Sequence, residues 1–268
     1  MADTIPAPLK GKVAIITGGS RGIGAAIAEL FAQHGCTHIA TTYVSNQAKA
    51  EAVLTRIREA YPHIKTHAIH SDVYDPAQGP KVVAAALEGL GVDHIDIAIA
   101  NAAPVEDLTA WPPAAELSHE FWAQQMTGLA WSPVSLATAV IPHMPSGGRI
   151  VMVSSVSSKM ATGDPVLPYA AGKAAMEAAS KQLAVLYAAK GVTVNTISVG
   201  PTRTDAFNRG KKWMENWEET AGNATLLKRI AEVEEVASII AFVASPGAGW
   251  ITGNQVPANG GAAAMLQS

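Results

Sequence analysis

Tyr169 and Lys173 stand four residues apart in an alanine-rich segment that predicts a helix over 168–189. Residues at this spacing share one helix face, so the phenol and the ammonium group should lie one turn apart. A nearby ammonium charge favours the phenolate and lowers the pKa of a tyrosine, which makes Tyr169 a candidate proton donor or acceptor. Ser155, which ends a predicted strand over 149–155, can donate a hydrogen bond to a substrate oxygen. Alone the spacing is weak evidence, because in many helices such a tyrosine is merely amphipathic and such a lysine is solvated.

A glycine-rich stretch follows the apolar run Val13–Ile16, and an apolar stripe with helical spacing follows the glycines. The pattern predicts a strand, a turn and a helix, in which the turn lets backbone approach a pyrophosphate and the helix N-terminus offers free N–H groups. The spacing is Gly18-x-x-x-Gly22-x-Gly24 behind Thr17, which differs from the G-x-G-x-x-G dinucleotide fingerprint. By itself the turn indicates a nucleotide site and no reaction, and a connection without a ligand is the alternative.

The end of the second predicted strand bears on the choice of cofactor. An NAD site usually places an Asp or Glu about 20 residues after the glycine turn, where it binds the ribose hydroxyls. Residues 41–46 contain no acid, and Arg21 inside the turn can pair with a phosphate, with Ser45 and Asn46 adding hydrogen bonds. These features favour NADPH over NAD, the alternative being that Arg21 is an ordinary exposed cation.

Strand and helix patterns alternate through the first 100 residues, which predicts parallel strands joined by right-handed crossovers. We therefore expect an α/β fold, with one doubly wound, Rossmann-type domain over 1–268 and a parallel sheet of about seven strands flanked by helices on both faces. Ligands on such sheets bind at the carboxyl ends of the strands. Strands are predicted over 13–16, 38–44, 67–71, 95–100, 149–155, 192–198 and 255–257, and helices over 25–34, 48–60, 80–90, 117–141 with a bend near Pro133, 168–189 and 232–244.

Composition excludes several classes of protein. The net charge of −3 argues against a nucleic-acid-binding surface. No signal-peptide pattern or apolar run of transmembrane length is present, so we expect a soluble, cytoplasmic protein that does not bind membranes. The single cysteine, Cys36, should be a small buried residue, and the eight histidines lack metal-ligand spacing, so no metal site is expected.

In this order and spacing, the glycine turn, Ser155 and Tyr169-x-x-x-Lys173 resemble the classical short-chain dehydrogenase/reductase family, over about residues 10–261. Ketoreductases are the most similar subgroup. Shorter matches are Asp72-Val73 to an adenine-contacting pair, Asn101-Ala102 to part of an Asn-Asn-Ala-Gly turn, and Gly200-Pro201-Thr202-x-Thr204 to the segment flanking the nicotinamide. Together with the features of the turn and the second strand, the resemblance implies a cofactor site. Its residues are Thr17, Gly18, Ser20, Arg21, Gly22, Ile23, Gly24, Tyr43, Ser45, Asn46, Asp72, Val73, Asn101, Ala102, Tyr169, Lys173, Gly200, Pro201, Thr202 and Thr204.

The resemblance also implies a mechanism, in which a carbonyl carbon receives hydride from the nicotinamide and Tyr169 protonates the oxygen. Ser155 would position that oxygen, and Lys173 would lower the pKa of Tyr169 and hold the nicotinamide ribose. One departure concerns this machinery: where the family often has an asparagine that supports a water chain to the lysine, this chain has Leu129. The serine–tyrosine spacing is also one residue longer than expected, so that Ser154 or Ser157 could substitute.

Residues 206–226 would form the flap over the substrate, and Phe207, Trp213 and Trp217 there suggest a bulky, apolar or aromatic one. Trp111 and Trp131 are expected in the core or an interface. The favoured interpretation is an NADPH-dependent reductase of a carbonyl in an aromatic or polyketide-like secondary metabolite. An NADP-dependent alcohol dehydrogenase or imine reductase, and a cofactor-binding protein with weak or non-redox activity, are the alternatives. A homotetramer, or a homodimer, packed through the helices at 117–141 and 168–189 is expected from the resemblance.

Overall fold

Seven parallel strands form one sheet in the computed structural model, which describes residues 7–104, 110–161, 165–212 and 215–262. Their spatial order is β3-β2-β1-β4-β5-β6-β7, so the direction of winding reverses between β1 and β4. This is the doubly wound, Rossmann-type arrangement, and the predicted fold class is confirmed. The strands are β1 (Val13–Ile16), β2 (His38–Tyr43), β3 (Lys65–His70), β4 (Ile97–Ala100), β5 (Arg149–Ser155), β6 (Thr193–Val199) and β7 (Gln255–Ala258).

Helices cover both faces of the sheet, and each face has its own apolar core. One core includes side chains from α1, α2 and α9, and the other includes side chains from α3, α5 and α6. The helices are α1 (Gly22–Gln33), α2 (Gln47–Ala60), α3 (Gln78–Leu90), α4 (His119–Met126), α5 (Ser132–Val140), α6 (Leu167–Tyr187), α7 (Asp205–Asn208), α8 (Trp217–Asn223) and α9 (Val233–Val243).

Strand β1 shows why its sequence is apolar at every position. Ala14 and Ile16 point into the core with α1, whereas Val13 and Ile15 point into the core with α3. Successive strand residues face opposite sides of the sheet, so a strand covered on both sides needs a continuous apolar run rather than an alternating one. The predicted bounds of β1 and β5 are confirmed to the residue, and the other elements shift at their ends by a few residues.

The long helix predicted over 117–141 is divided. A π-helical turn at Thr127–Trp131 joins α4 to α5, and Pro133 lies in the first turn of α5, directly after it. The predicted irregular segment 206–226 contains α7, a 3₁₀ turn at Arg209–Lys212 and α8, while Trp213 lies outside the described residues.

Three individual predictions were decided by side-chain packing. Cys36 is buried as expected, and burial raises the pKa of its thiol to about 12. Trp111 is also buried, in an edge-to-face contact with Phe121. Trp131 does not enter the core of this chain: 47% of it is exposed, and its Nε1 donates to the Pro76 carbonyl.

Within the described part of the chain, none of the helices has both the length and the apolar character of a membrane span.

Candidate active site

A cleft of about 680 Å³ opens at the carboxyl ends of the strands, where the winding of the sheet reverses. It is lined by the turn after β1, by the ends of β2, β4, β5 and β6, and by residues of α6, α7 and α8. The predicted site residues that line it are Gly18, Ser20, Arg21, Gly22, Ile23, Tyr43, Ser45, Asp72, Val73, Asn101, Ala102, Ser155, Tyr169, Lys173, Gly200, Pro201, Thr202 and Thr204.

Glycine is required at several positions of the turn after β1 for different reasons. Gly18 and Gly22 have φ angles of +71° and +56°, in the left-handed region that L side chains rarely adopt. Gly24 has an ordinary φ, but a Cβ there would lie 2.3 Å from the Gly18 carbonyl oxygen. The turn is thus packed against the start of α1 too closely for any side chain at that point.

The N-terminus of α1 faces the cleft without a side-chain cap. Arg21 occupies the N-cap position and makes no capping hydrogen bond, while Gly22 and Ile23 line the cleft. The first N–H groups of a helix have no partner within it and carry the positive end of its dipole. This end of the cleft therefore fits a phosphate group, with the Arg21 guanidinium as an additional cation.

Three predicted cofactor residues do not line the cleft but shape the loops that do. Thr17 is buried, and its Oγ1 accepts hydrogen bonds of 3.0 Å from the backbone N–H groups of Asn101 and Ala102. Asn46 caps α2 by accepting from the Lys49 N–H at 2.9 Å. Gly24 supplies the close contact with Gly18. These contacts hold the turn after β1, the start of α2 and the turn after β4 in place around the cleft.

The sequence interpretation did not single out several other residues that line the cleft. Tyr74 follows the Asp72-Val73 pair, and its hydroxyl accepts a hydrogen bond from Gln125 of α4 at 3.1 Å. Pro104 follows the Asn101-Ala102 turn. Their positions next to predicted residues are the one feature that could have indicated them. These additional lining residues are Thr42, Val44, Ser71, Tyr74, Ala103, Pro104, Val153, Val199, Asp205, Ala206 and Arg209, and Ser154, named above as a possible substitute for Ser155, lines the cleft as well.

Ser155, Tyr169 and Lys173 all line the cleft. Ser155 ends β5, and its Oγ accepts from the Ser157 N–H at 3.2 Å. The Lys173 Nζ lies 5.8 Å from the centre of the Tyr169 ring and donates to the Val153 carbonyl at 2.6 Å. Lys173 is only 4% exposed, so its position is fixed by its surroundings.

The prediction that Lys173 gives Tyr169 a lowered pKa is wrong for this structure. Burial raises the pKa of Tyr169, and a hydrogen bond with Ser155 opposes that rise only in part. The ammonium group of Lys173 is directed to a backbone carbonyl, and burial lowers the pKa of the lysine itself to about 8, with the charge of Glu177 acting in the opposite direction. The spacing in the sequence predicted that Tyr169 and Lys173 would be neighbours. It could not predict how deeply they are buried, and burial decides the direction of the pKa shift of each.

Leu129 lies in the π-helical turn and packs directly against α6. It is 1% exposed, and a Cβ on Gly172, the neighbour of Lys173, would lie 2.6 Å from the Leu129 Cβ. The position where the family often has an asparagine therefore lies against Gly172, the residue before Lys173 in α6. In this chain an aliphatic side chain occupies it.

Aromatic side chains lie on the α7–α8 side of the cleft. The rings of Phe207 and Trp217 are 5.4 Å apart, and Trp217 Nε1 donates to the Phe207 carbonyl at 2.9 Å. Thr204 begins α7 by accepting from the Phe207 N–H at 3.1 Å. Because both rings also line the cleft, this wall is apolar and fixed by local hydrogen bonds.

Comparison with known proteins agrees with this architecture. The family model described as enoyl-(acyl carrier protein) reductase matches residues 18–263. The short chain dehydrogenase asqE of Emericella nidulans is 40% identical over 260 residues, which cover 96% of this chain and 95% of that protein.

Two solved structures share the fold over nearly their whole length. A short chain dehydrogenase from Burkholderia cenocepacia in complex with NADP has a TM-score of 0.86 and 30% identity, covering 95% of this chain and 99% of that one. The angucycline C-6 ketoreductase LanV with bound NADP has a TM-score of 0.85 and 27% identity, covering 97% and 98%. With these matches and the geometry of the cleft, the chain belongs to the short-chain dehydrogenase/reductase family.

Proposed function

We propose that this protein is an NADPH-dependent reductase that converts a carbonyl of a bulky, aromatic or polyketide-like secondary metabolite into an alcohol. The observation that carries the proposal is the meeting of Ser155, Tyr169 and Lys173 in the same cleft as the glycine turn. The likeness to an angucycline ketoreductase supports the substrate class.

The cofactor end of the cleft supports NADPH over NADH. Arg21, Ser20 and Ser45 line the cleft, and residues 41–46 bring no carboxylate that would repel a 2′-phosphate. The uncapped N-terminus of α1 would hold the pyrophosphate, and Lys173 the nicotinamide ribose. When bound, NADPH supplies the hydride.

The protein supplies the proton and fixes the substrate oxygen. Burial raises the pKa of Tyr169, so its phenol stays protonated at neutral pH and carries the proton that reduction requires. In reduction, the carbonyl carbon gains a hydride while the oxygen gains the Tyr169 proton, and the Ser155 hydroxyl hydrogen-bonds to that oxygen. The same raised pKa disfavours alcohol oxidation, because oxidation needs the phenolate as a base.

The lining of the substrate side supports a large, flat, apolar substrate. Phe207, Trp217 and Pro104 present rings to the cleft, and aromatic side chains pack well against other rings. A small polar carbonyl compound would leave this surface unfilled.

We also propose that the protein forms a homotetramer. Two apolar residues of α6, Val185 and Leu186, are 75% and 68% exposed, and a partner would remove them from water. Sedimentation equilibrium should give four times the chain mass; a monomer would reject this assembly, and a homodimer would be its smaller alternative.

The deciding experiment follows NADPH oxidation by its absorbance across a panel of aryl ketones, quinones and imines, with Tyr169→Phe beside the wild type. We expect turnover of bulky ketones or quinones and a loss in kcat of about 10³-fold in the variant, with NADPH affinity unchanged. Tyr187→Phe is the matched control, because Tyr187 lies on the same helix and does not line the cleft.

Leu129 favours one second function, a cofactor-binding protein without redox turnover, because it removes a hydrogen-bonding group from the helix packed beside Lys173. Tight NADPH binding with no turnover of any panel compound would favour that function. If the protein turned over imines alone, the proposed substrate would be an imine and not a ketone. If it oxidised alcohols faster than it reduced carbonyls, the proposed direction of the reaction would be reversed.

A further inference from the structure

Glu177 is a buried carboxylate on α6, one turn beyond Lys173 and two beyond Tyr169, and the mechanism above does not use it. It is 4% exposed. Its Oε1 accepts hydrogen bonds from Ser154 Oγ at 2.5 Å, Ser158 Oγ at 2.6 Å and Gln255 Nε2 at 2.5 Å. Its Oε2 lies 3.1 Å from the Lys159 Nζ. Burying a carboxylate is costly unless it is paired and hydrogen-bonded, and here all these partners converge on it.

The donors flank Ser155 on both sides. Ser154 precedes it on β5, and Ser158 follows it in the turn after β5, where the Ser158 Oγ also lies 2.8 Å from the Ser155 carbonyl oxygen. Gln255 belongs to β7. One carboxylate on α6 thus anchors the backbone around Ser155 to the helix that carries Tyr169 and Lys173.

Glu177 also acts on Lys173 through its charge. Burial depresses the pKa of Lys173 to about 8, and the Glu177 charge raises it. The other groups near this lysine are the Tyr169 phenol on the same helix, the Val153 carbonyl and Ser155 on β5, and Lys159, which pairs with the far oxygen of Glu177. Among the described residues in this set, Glu177 is the anion that favours the ammonium form.

We propose that Glu177 is a positioning residue that holds Ser155 in register with Tyr169 and Lys173, and that its negative charge, one helical turn from Lys173, acts on the ammonium group of that lysine. This inference rests on the proposed function, since it concerns the same site. It assigns to one residue two separable effects, one through hydrogen bonds and one through charge.

Two substitutions separate these effects. Glu177→Gln keeps the length of the side chain and an oxygen that can accept the serine hydrogen bonds, but it removes the charge. Glu177→Asp keeps the charge but withdraws the carboxylate by one methylene from Ser154, Ser158 and Gln255. Glu234→Gln, an equal loss of charge on the exposed surface of α9, is the control.

The first measurement is NADPH affinity against pH, by quenching of tryptophan fluorescence, which needs no turnover. In the wild type, affinity should decline as pH rises through about 8, because the Lys173 ammonium loses its proton there. In Glu177→Gln the midpoint should move about 1 pH unit lower, because the charge that raises the pKa of Lys173 is gone. In Glu177→Asp and Glu234→Gln the midpoint should stay where it is in the wild type.

The second measurement is kcat with the panel compound that the wild type turns over fastest. We expect a loss of about 10-fold in Glu177→Asp, because Ser155 is no longer held, and no loss in Glu234→Gln. A Glu177→Gln midpoint that coincides with that of Glu234→Gln, or a wild-type affinity that is flat up to about pH 10, would overturn the inference.

If neither Glu177 variant folds, as judged by circular dichroism, Ser158→Ala decides the question. It should lower kcat about threefold with NADPH affinity unchanged, and wild-type kcat in it would overturn the positioning role. A failure of the proposed function is visible separately, as wild-type protein that binds NADPH with the expected pH midpoint but turns over no carbonyl. If the wild type did not bind NADPH, both the proposed function and the proposed role of Glu177 would be contradicted.

Discussion

The turn after β1 and the β5–α6 pair line one cleft, but different chemical groups form them: backbone groups in the turn and ionisable side chains in the β5–α6 pair. The turn uses backbone N–H groups, two left-handed glycines and the absence of a side chain at Gly24. The β5–α6 pair uses buried ionisable side chains, Tyr169, Lys173 and Glu177, together with the hydrogen bonds that make their burial tolerable.

The difference predicts which kind of change most disturbs each region. A backbone-built region is sensitive to added volume, because nothing in it can move aside without disturbing the strand and the helix that it joins. A region built from buried charges is sensitive to pH and to loss of a partner, because burial opposes the charged form of Lys173.

The largest effect should come from Gly24→Ala. The new Cβ would lie 2.3 Å from the Gly18 carbonyl oxygen, so the turn must shift, at a cost of about 3 kcal/mol in the free energy of unfolding. NADPH affinity should fall by more than about 10-fold, since the same shift displaces the N-terminus of α1. Urea unfolding and NADPH titration measure the two changes.

Gly247→Ala is the control for that substitution. Its Cβ would be no nearer than 3.4 Å to any atom, which is ordinary contact, so stability should change by less than about 0.5 kcal/mol. If Gly24→Ala were as stable as this control and bound NADPH normally, the turn would not be built on backbone contact.

Arg21→Ser should have an intermediate effect confined to the choice of cofactor. Loss of one charge-assisted contact with a phosphate corresponds to about 10-fold in affinity, so the NADPH preference over NADH should fall by that factor while NADH affinity is unchanged. Arg56→Ser is the control, because Arg56 pairs with Glu29 and does not line the cleft. An equal weakening of both cofactors would place Arg21 away from the 2′-phosphate.

The contrast also explains what sequence could predict about the fold and the turn. Val13–Ile16 is an uninterrupted apolar run because both of its faces are buried, and the glycines mark the turn because no other residue fits there. Such local steric requirements appear directly in the residue types. The π-helical turn at Thr127–Trp131 had only an indirect indication in Pro133, because it depends on how α4 and α5 pack against α6.

The β5–α6 region was predictable in its members but not in its electrostatics. Spacing placed Ser155, Tyr169 and Lys173 together, yet the pKa of Tyr169 is raised rather than lowered, because packing from distant elements buries it. Glu177 was missed for the same reason: one of its partners, Gln255, is 78 residues away in sequence. Thr17 and Gly24 were predicted from the glycine turn, and Asn46 from the end of the second strand. Only their contacts in the fold show that they support the loops around the cleft and do not line it.

The smallest effect, and the one that distinguishes the two regions without any substitution, is the pH dependence of the wild type. Burial lowers the pKa of Lys173 to about 8, so the ammonium form prevails below that pH and is lost above it. From about pH 7 to about pH 8, kcat should fall roughly twofold. The ratio of NADPH to NADH affinity should stay constant over the same range, because it reports the 2′-phosphate at Arg21, and a guanidinium keeps its charge there. If the ratio changed together with kcat, the two regions would be electrostatically coupled, and the division between a backbone-built and a charge-built region would not hold.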